Sequence, residues 1–172
     1  MLQTKFDLDK LFTEASSGNV EIVKEQQSED SCEHTVLKVD GEPIMSTDPK
    51  ILNRINEICD ELTGDVLICG LGLGAAIFPL LHNRLVRSVV VLEYNEDIIN
   101  IIKPIIQEHD TMNKVHIFHQ DAYNYETTSK FNSIYLDIWS YFSEDVVNNV
   151  IPKTKEKYSN FLHEDGSIYT YI

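Results

Sequence analysis

Three glycines at alternate positions follow directly after an apolar segment of the chain. Residues 65–76 read DVLICGLGLGAA, so the apolar run ends at Gly70, Gly72 and Gly74. Glycine permits a tight turn and lets a ligand approach the backbone closely. The spacing fits both G-x-G-x-x-A, the dinucleotide fingerprint, and G-x-G-x-G, which is typical of S-adenosylmethionine sites. The glycines therefore predict a nucleotide-like ligand, with a plain tight turn as the alternative.

Two acidic side chains stand at the ends of later apolar segments. Glu93 ends SVVVLE, 19 residues beyond Gly74, where a carboxylate can accept hydrogen bonds from both hydroxyls of an adenosine ribose. The alternative for Glu93 is a solvated acid. Asp121 and Ala122 follow the next segment and offer a carboxylate and a backbone N–H to an adenine ring, unless Asp121 is only a helix N-cap. This third contact favours S-adenosylmethionine over a nicotinamide cofactor.

A further acid, Asp137 in IYLDIWSYF, could orient or deprotonate an attacking amine. Trp139 and Tyr141 could wall a pocket or hold a cation over their rings. We predict catalytic roles for Asp137 and Tyr141, with a structural role for the acid and simple packing for the aromatic residues as the alternatives. The six histidines form no cluster with metal-ligand spacing, so no metal site is predicted.

Buried strands must position these residues, because each of them follows an apolar segment. Strands are predicted at 65–69, 88–93, 115–118 and 133–138, with a last strand in SIYTYI at the end of the sequence. Helices are predicted at about 75–84, near 96–109 with a kink or a shortening at Pro104, and at about 143–162 with an interruption or a new start at Pro152. Strands alternating with helices indicate an α/β protein with a parallel sheet, whose ligands bind at the carboxyl ends of the strands.

The N-terminal part of the sequence has a different pattern. We predict a helix over 7–16, then two antiparallel strands within 19–27 and 34–45, on either side of the polar stretch SEDSCE. The pair Asp40-Gly41 indicates a tight turn within the second of these segments.

The helix that follows has clear start and stop signals. Asp48 is suited to the N-cap and Pro49 to the first helical position. Gly64 is predicted to end the helix as its C′ residue. We therefore divide the chain into an N-terminal helix and β-hairpin extension, 1–47, and a Rossmann-like S-adenosylmethionine-binding domain, 48–172.

Composition narrows the class of protein. The chain has 172 residues and a net charge of −14, and its few basic residues argue against a nucleic-acid partner. No apolar run approaches about 20 residues, so no membrane span is expected. Cys32, Cys59 and Cys69 fit neither a zinc site nor a disulfide framework. We expect a cytoplasmic protein.

Over residues 65–172 the sequence is similar to the class I S-adenosylmethionine-dependent methyltransferases, and it resembles their spermidine synthase-like branch. LKVDGEPIMSTD resembles the β-hairpin that precedes those domains, and VVVLEYNEDII resembles their second strand. Ile68 stands where many methyltransferases have an acid, as in the synthases. The resemblance implies a Rossmann-like methyltransferase fold, a mainly parallel sheet flanked by helices, and S-adenosylmethionine as cofactor. The implied cofactor-binding residues are Gly70, Leu71, Gly72, Gly74, Glu93, Tyr94, Asp121, Ala122 and Asp137.

The sequence departs from the synthases where their amine pocket lies. Leu73 replaces the acid of their glycine motif, ILNRINE lacks their tyrosine, and Ser140 replaces their second aspartate. The two strands that complete their sheet are also missing after SIYTYI. Because an uncovered edge strand is prone to pairing, we expect a homo-oligomer or coverage of that edge by the N-terminal segment.

These observations predict an S-adenosylmethionine-binding transferase, most simply a methyltransferase acting on a small molecule, possibly an amine. Three alternatives stay open at this point. They are a spermidine synthase-like aminopropyltransferase, a non-catalytic nucleotide-binding or interaction module, and a nicotinamide-dependent enzyme. Neither nucleic acid nor a membrane is expected as a partner.

Overall fold

A computed structural model describes residues 6–26 and 32–172 of the chain. The helices are α1 (Leu8–Leu11), α2 (Pro49–Glu61), α3 (Phe78–Leu81), α4 (Glu96–His109) and α5 (Ile151–Ser159), with a 3₁₀ turn at Ala122–Asn124 and a π-helical turn at Val146–Val150. The strands are β1 (Ala15–Ser17), β2 (Val20–Gln26), β3 (Glu33–Val39), β4 (Glu42–Ser46), β5 (Gly64–Cys69), β6 (Val86–Glu93), β7 (Val115–His119), β8 (Phe131–Leu136) and β9 (Leu162–Thr170).

Five strands form the main sheet in the order β7-β6-β5-β8-β9, and every neighbouring pair is parallel. The strand order reverses between β5 and β8, which is where open α/β sheets hold their ligands. The predicted parallel sheet, without the last antiparallel strands, is confirmed.

Strand β5 is buried on both faces, which explains its unbroken apolar sequence. Val66 and Ile68 belong to the core beneath α2, α3 and α4, whereas Leu67 and Cys69 belong to the core on the face that carries α5. Alternate side chains of this one strand thus pack against the helices on both faces of the sheet.

The N-terminal strands form their own antiparallel sheet in the order β1-β2-β3-β4, which is larger than the predicted hairpin. Asp40 and Gly41 make the turn from β3 to β4, both with positive φ (53° and 80°). The predicted helix over 7–16 is wrong beyond Leu11, because the turn at Gly18-Asn19 folds residues 15–17 against β2 as a strand. Residues 27–31, which include most of SEDSCE, lie outside the described part of the chain.

The start of α2 is as predicted and its end is not. The Asp48 side chain accepts a hydrogen bond from the backbone N–H of Lys50 (2.7 Å), and Pro49 is the first helical residue. Leu62 is the C-cap, so Gly64 is not the C′ residue. Instead Gly64 opens β5 with φ 69°, where a Cβ would lie 2.2 Å from Oδ1 of Asn132.

The later helices differ in length from the predictions. The helix predicted at 75–84 is only the short α3, because residues 71–77 form successive turns. Helix α4 occupies its predicted range and contains Pro104. The helix predicted at 143–162 is divided into the π-helical turn and α5, and Pro152 lies in the first turn of α5, which agrees with the predicted new start at this proline.

The N-terminal sheet and the main sheet share one hydrophobic core. Leu8, Phe12, Ile22 and Leu37 pack in the same cluster as β5 and α4. In the described residues no strand of this sheet pairs with β9, and the predicted coverage of that edge by the N-terminal segment stays a prediction. Self-association and the domain division after residue 47 stay predictions. None of the described helices is long and apolar enough to cross a membrane.

Candidate functional site

A pocket of about 600 Å³ lies at the carboxyl ends of the main strands, next to the reversal between β5 and β8. This volume is in the range of small-molecule sites. Twenty residues line it: Ile44, Met45, Ile51, Ile55, Gly70, Gly72, Leu92, Glu93, Tyr94, Ile98, Gln120, Asp121, Ala122, Tyr123, Asp137, Ile138, Trp139, Ser140, Phe142 and Tyr171.

The glycine loop forms the floor of this pocket through Gly70 and Gly72. Both have positive φ, 100° and 49°. A Cβ on Gly70 would lie 2.2 Å from the carbonyl oxygen of Asp137, and a Cβ on Gly72 would lie 2.6 Å from Sδ of Met45. The loop therefore needs glycine at both positions, because a side chain there would overlap the chain that follows β8 or the Met45 side chain of β4.

Leu71 and Gly74 were predicted in the site, yet neither lines the pocket. Gly74 faces the core, where a Cβ would lie 3.1 Å from Phe78 and 3.3 Å from Ile106. The Leu71 side chain is also buried, and only its backbone N–H takes part in the site. The third glycine of the motif is thus explained by packing of the turn.

Glu93, at the end of β6, bonds to the glycine loop with one carboxylate oxygen and to the turn after β6 with the other. Oε2 accepts a hydrogen bond from the backbone N–H of Leu71 and Oε1 from that of Asn95, each at 2.8 Å. The carboxylate is 8% exposed, so the alternative of a solvated acid is wrong. Each oxygen has a second lone pair, so the carboxylate can still accept two hydrogen bonds from a ligand.

Asp121 lies beside Glu93 at the end of β7. Its Oδ1 accepts a hydrogen bond from the backbone N–H of Tyr123 (2.8 Å), so it does cap the 3₁₀ turn, and it lines the pocket as well. Trp139 belongs to the same wall, because its indole N–H donates to the Tyr123 hydroxyl (3.0 Å). We call this wall the β6–β7 side and define it as Glu93, Tyr94, Gln120, Asp121, Ala122, Tyr123 and Trp139.

Asp137, the first residue after β8, is the acid of the opposite wall. It is half-buried and lines the pocket. Burial raises the pKa of Asp137 to about 6, and the nearby Tyr135 hydroxyl partly opposes this rise. Tyr135 is fully buried, and its hydroxyl makes no aligned hydrogen bond.

Apolar side chains surround Asp137 on this wall, and sequence reasoning missed them. Phe142 stacks on Tyr171 with a centroid distance of 6.1 Å and an interplanar angle of 13°. The backbone carbonyl of Tyr171 accepts a hydrogen bond from Arg54 Nε (2.9 Å), which holds the end of the chain beside α2. We call this wall the α2 side and define it as Ile44, Met45, Ile51, Ile55, Asp137, Phe142 and Tyr171.

The predicted catalytic residue Tyr141 does not line the pocket and is 68% exposed. Its neighbour Phe142 lines the pocket instead. Ile51 and Ile55 recur at helical spacing, which is typical of core residues and does not mark a site. No local signal in the sequence marked Tyr171.

Solved structures with the same architecture include a spermidine synthase from Thermotoga maritima. It matches 92% of this chain over 55% of its own, with a TM-score of 0.63 and 14% identity. A spermidine synthase in complex with the transition-state analogue AdoDATO gives similar figures, a TM-score of 0.59 and 13% identity over 92% of this chain and 55% of that one.

The chain has a class I methyltransferase-like fold. Within this fold, an S-adenosylmethionine-dependent methyltransferase from Clostridium acetobutylicum matches 72% of the chain over 50% of its own, with a TM-score of 0.50 and 22% identity. The chain spans about half the length of these structures. No protein-family model matches the sequence, and no curated protein sequence matches it. The expected methyltransferase-like fold is confirmed.

Proposed function

We propose that this chain is an S-adenosylmethionine-binding transferase that methylates a small molecule. One observation carries the proposal. The pocket at the strand reversal is floored by Gly70 and Gly72, and Glu93 is fixed against this floor with two acceptor positions left. This arrangement suits the ribose diol of an adenosine.

The residues of the β6–β7 side fit the rest of such a ligand. Asp121 and Ala122 follow β7 where an adenine amine and ring nitrogen would meet a carboxylate and a backbone N–H. Trp139 and Tyr123 add flat aromatic surfaces beside them, held together by their hydrogen bond. The pocket volume of about 600 Å³ leaves space for an acceptor next to the nucleoside.

Asp137 is the chemical group on the acceptor side. When bound, S-adenosylmethionine supplies a sulfonium-borne methyl group, so that transfer breaks a C–S bond, forms a bond to the acceptor and leaves a thioether. Asp137 would orient the acceptor and take its proton, because a base with a pKa of about 6 is largely ionised at pH 7. The apolar residues around it keep water away from the acceptor.

Calorimetric titration with S-adenosylmethionine and with its demethylated product tests the proposal. We expect both to bind, with dissociation constants no weaker than about 100 μM, an affinity of about 5.5 kcal/mol. No heat at about 1 mM ligand would contradict it. Titration with NADH is the control, and tighter binding of NADH would favour a nicotinamide-dependent enzyme. Binding without turnover of any acceptor would favour a non-catalytic module.

Aminopropyl transfer is a second candidate for the same pocket. The spermidine synthase structures match 92% of the chain, which includes most of the N-terminal sheet, whereas the methyltransferase matches 72%. An assay with putrescine and decarboxylated S-adenosylmethionine separates the two reactions. Release of spermidine would favour this candidate over methyl transfer.

A further inference from the structure

We infer that the acceptor is a monoamine with an apolar or aromatic body, held with its nitrogen at Asp137 and its body against the α2 side. This inference rests on the proposed function and adds the class of substrate. It excludes anionic acceptors and polyamines as the preferred substrates.

The charges of the pocket carry the first step. Among the described residues that line it, Glu93, Asp121 and Asp137 have carboxyl groups, and none is Lys, Arg or His. An acceptor with a carboxylate or phosphate would therefore meet three acidic side chains and no cationic side chain, which costs binding free energy. The net charge of −14 also attracts cations to the protein.

The position of these acids carries the second step. Glu93 and Asp121 belong to the β6–β7 side, where backbone N–H groups already bond to their oxygens. Asp137 is the one carboxyl group among the α2-side residues. A polyamine needs a second charged or polar anchor for its far nitrogen. This wall instead offers Ile44, Ile51 and Ile55 there, so the second ammonium would lose its hydration without compensation.

The aromatic pair carries the third step. Tyr171 and Phe142 are stacked beside the isoleucines, and the Arg54 hydrogen bond fixes the backbone of Tyr171. Flat apolar side chains held in this way favour an apolar or aromatic ligand body. Together with one carboxylate, they define an amphipathic site with a single place for positive charge.

The proton balance fits this class of acceptor. A protonated amine, R–NH₃⁺, first gives one proton to the Asp137 carboxylate and becomes R–NH₂. The nitrogen lone pair then forms the new N–C bond while the C–S bond of the sulfonium breaks, and its electron pair stays on sulfur. The product is the ammonium R–NH₂–CH₃⁺, and Asp137 passes its proton to solvent.

Three probes test the inference in the full-length protein saturated with the demethylated cofactor product. They are phenethylamine, putrescine and phenethyl alcohol, and their binding is measured by calorimetry and by the fluorescence of Trp139, the single tryptophan. We expect phenethylamine to bind at least about tenfold more tightly than either of the others. In Asp137→Asn, which keeps the size of the side chain, this advantage over the alcohol is expected to disappear. Asp165→Asn, at an exposed position, is the matched control and is expected to keep it.

Two results would overturn the inference. Putrescine binding as tightly as phenethylamine would show that the site accepts polyamines, and equal binding of the alcohol would show that no amine is recognised. Ile51→Glu gives an independent check, because a second carboxylate on the half-buried wall should shift the preference towards putrescine. If the cofactor product binds and no amine does, this inference fails while the proposed function stands. If the cofactor product itself does not bind, the proposed function fails.

Discussion

The two walls of the pocket hold their acids in opposite ways. On the β6–β7 side, both oxygens of Glu93 accept backbone hydrogen bonds, so this carboxylate is part of the fixed structure. On the α2 side, Asp137 lies among apolar side chains, and burial raises its pKa to about 6. The proposed function assigns ligand binding to the first wall and proton exchange to the second, and this difference is the one that it requires.

The glycine floor connects these walls, so its replacement has the largest expected effect. Gly70→Ala would place a Cβ 2.2 Å from the Asp137 carbonyl oxygen at φ 100°. We expect urea denaturation to show a free energy of unfolding lower by about 3 to 5 kcal/mol. Gly41→Ala is the control, with φ 80° and no atom within 4 Å of the added Cβ. It should cost only about 1 to 2 kcal/mol, and equal losses would show that the contact with Asp137 does not matter.

The variant Glu93→Gln tests the role of the β6–β7 side. The amide has one acceptor oxygen where the carboxylate has two, so one of the two backbone N–H groups loses its partner. We expect calorimetry to show about 100-fold weaker binding of the demethylated cofactor product, because hydrogen bonds to charged groups are the strong ones. Glu108→Gln, at an exposed position of α4, is expected to bind normally. Unchanged affinity in Glu93→Gln would contradict the assigned role.

The pH dependence of the free energy of unfolding in Asp137→Asn tests the α2 side. A carboxyl pKa raised in the folded state means that the folded protein loses stability as pH rises from about 4 to about 6. The asparagine variant does not titrate. The quantity compared is the free energy of unfolding of the variant minus that of the wild type. We expect this difference to be larger at pH 8 than at pH 4 by roughly 2 to 3 kcal/mol.

The groups around Asp137 do not interfere with this measurement. Burial raises the pKa of Cys59 to about 12 and raises that of Tyr135 as well, so neither titrates in the window. Asp165→Asn is the matched control, and a pH-independent difference between Asp137→Asn and the wild type would contradict the raised pKa.

The smallest expected effect compares two fully buried tyrosines on opposite faces of the main sheet. The Tyr158 hydroxyl donates to the carbonyl of Ala122 (2.8 Å), whereas the Tyr135 hydroxyl beneath Asp137 makes no aligned bond. Tyr158→Phe should therefore lower the free energy of unfolding by about 1 kcal/mol, and Tyr135→Phe should leave it unchanged or raise it by about 1 kcal/mol. Thermal and urea denaturation measure both, and a loss of stability in Tyr135→Phe would show that its hydroxyl is satisfied.

The same contrast explains how much could be predicted from the sequence. The β6–β7 side was largely predictable, because Glu93 and Asp121 directly follow apolar strands whose carboxyl ends meet at one edge. The loop of Gly70 and Gly72 was predictable for the same reason. The role of Gly74 was not, because the motif does not show that Phe78 and Ile106 pack against this glycine.

The α2 side was predictable only at Asp137. Its other members come from β4, α2, the loop after β8 and the end of the chain, and only tertiary packing brings these segments together. Tyr141 was predicted in the site and Phe142 lines it, because irregular chain has no period from which the direction of a side chain can be predicted. The length of α3 was missed because turns after the glycines replaced the expected helix.

A crystal structure of the protein with the demethylated cofactor product tests the central claim most directly. We predict that the ribose hydroxyls lie within about 3 Å of the Glu93 carboxylate oxygens, with the adenine at Asp121 and Ala122 and the sulfur directed towards Asp137. The α2 side would then be left for the acceptor. A ligand whose adenosine occupies the α2 side, or one bound away from Glu93, would contradict the division of the pocket.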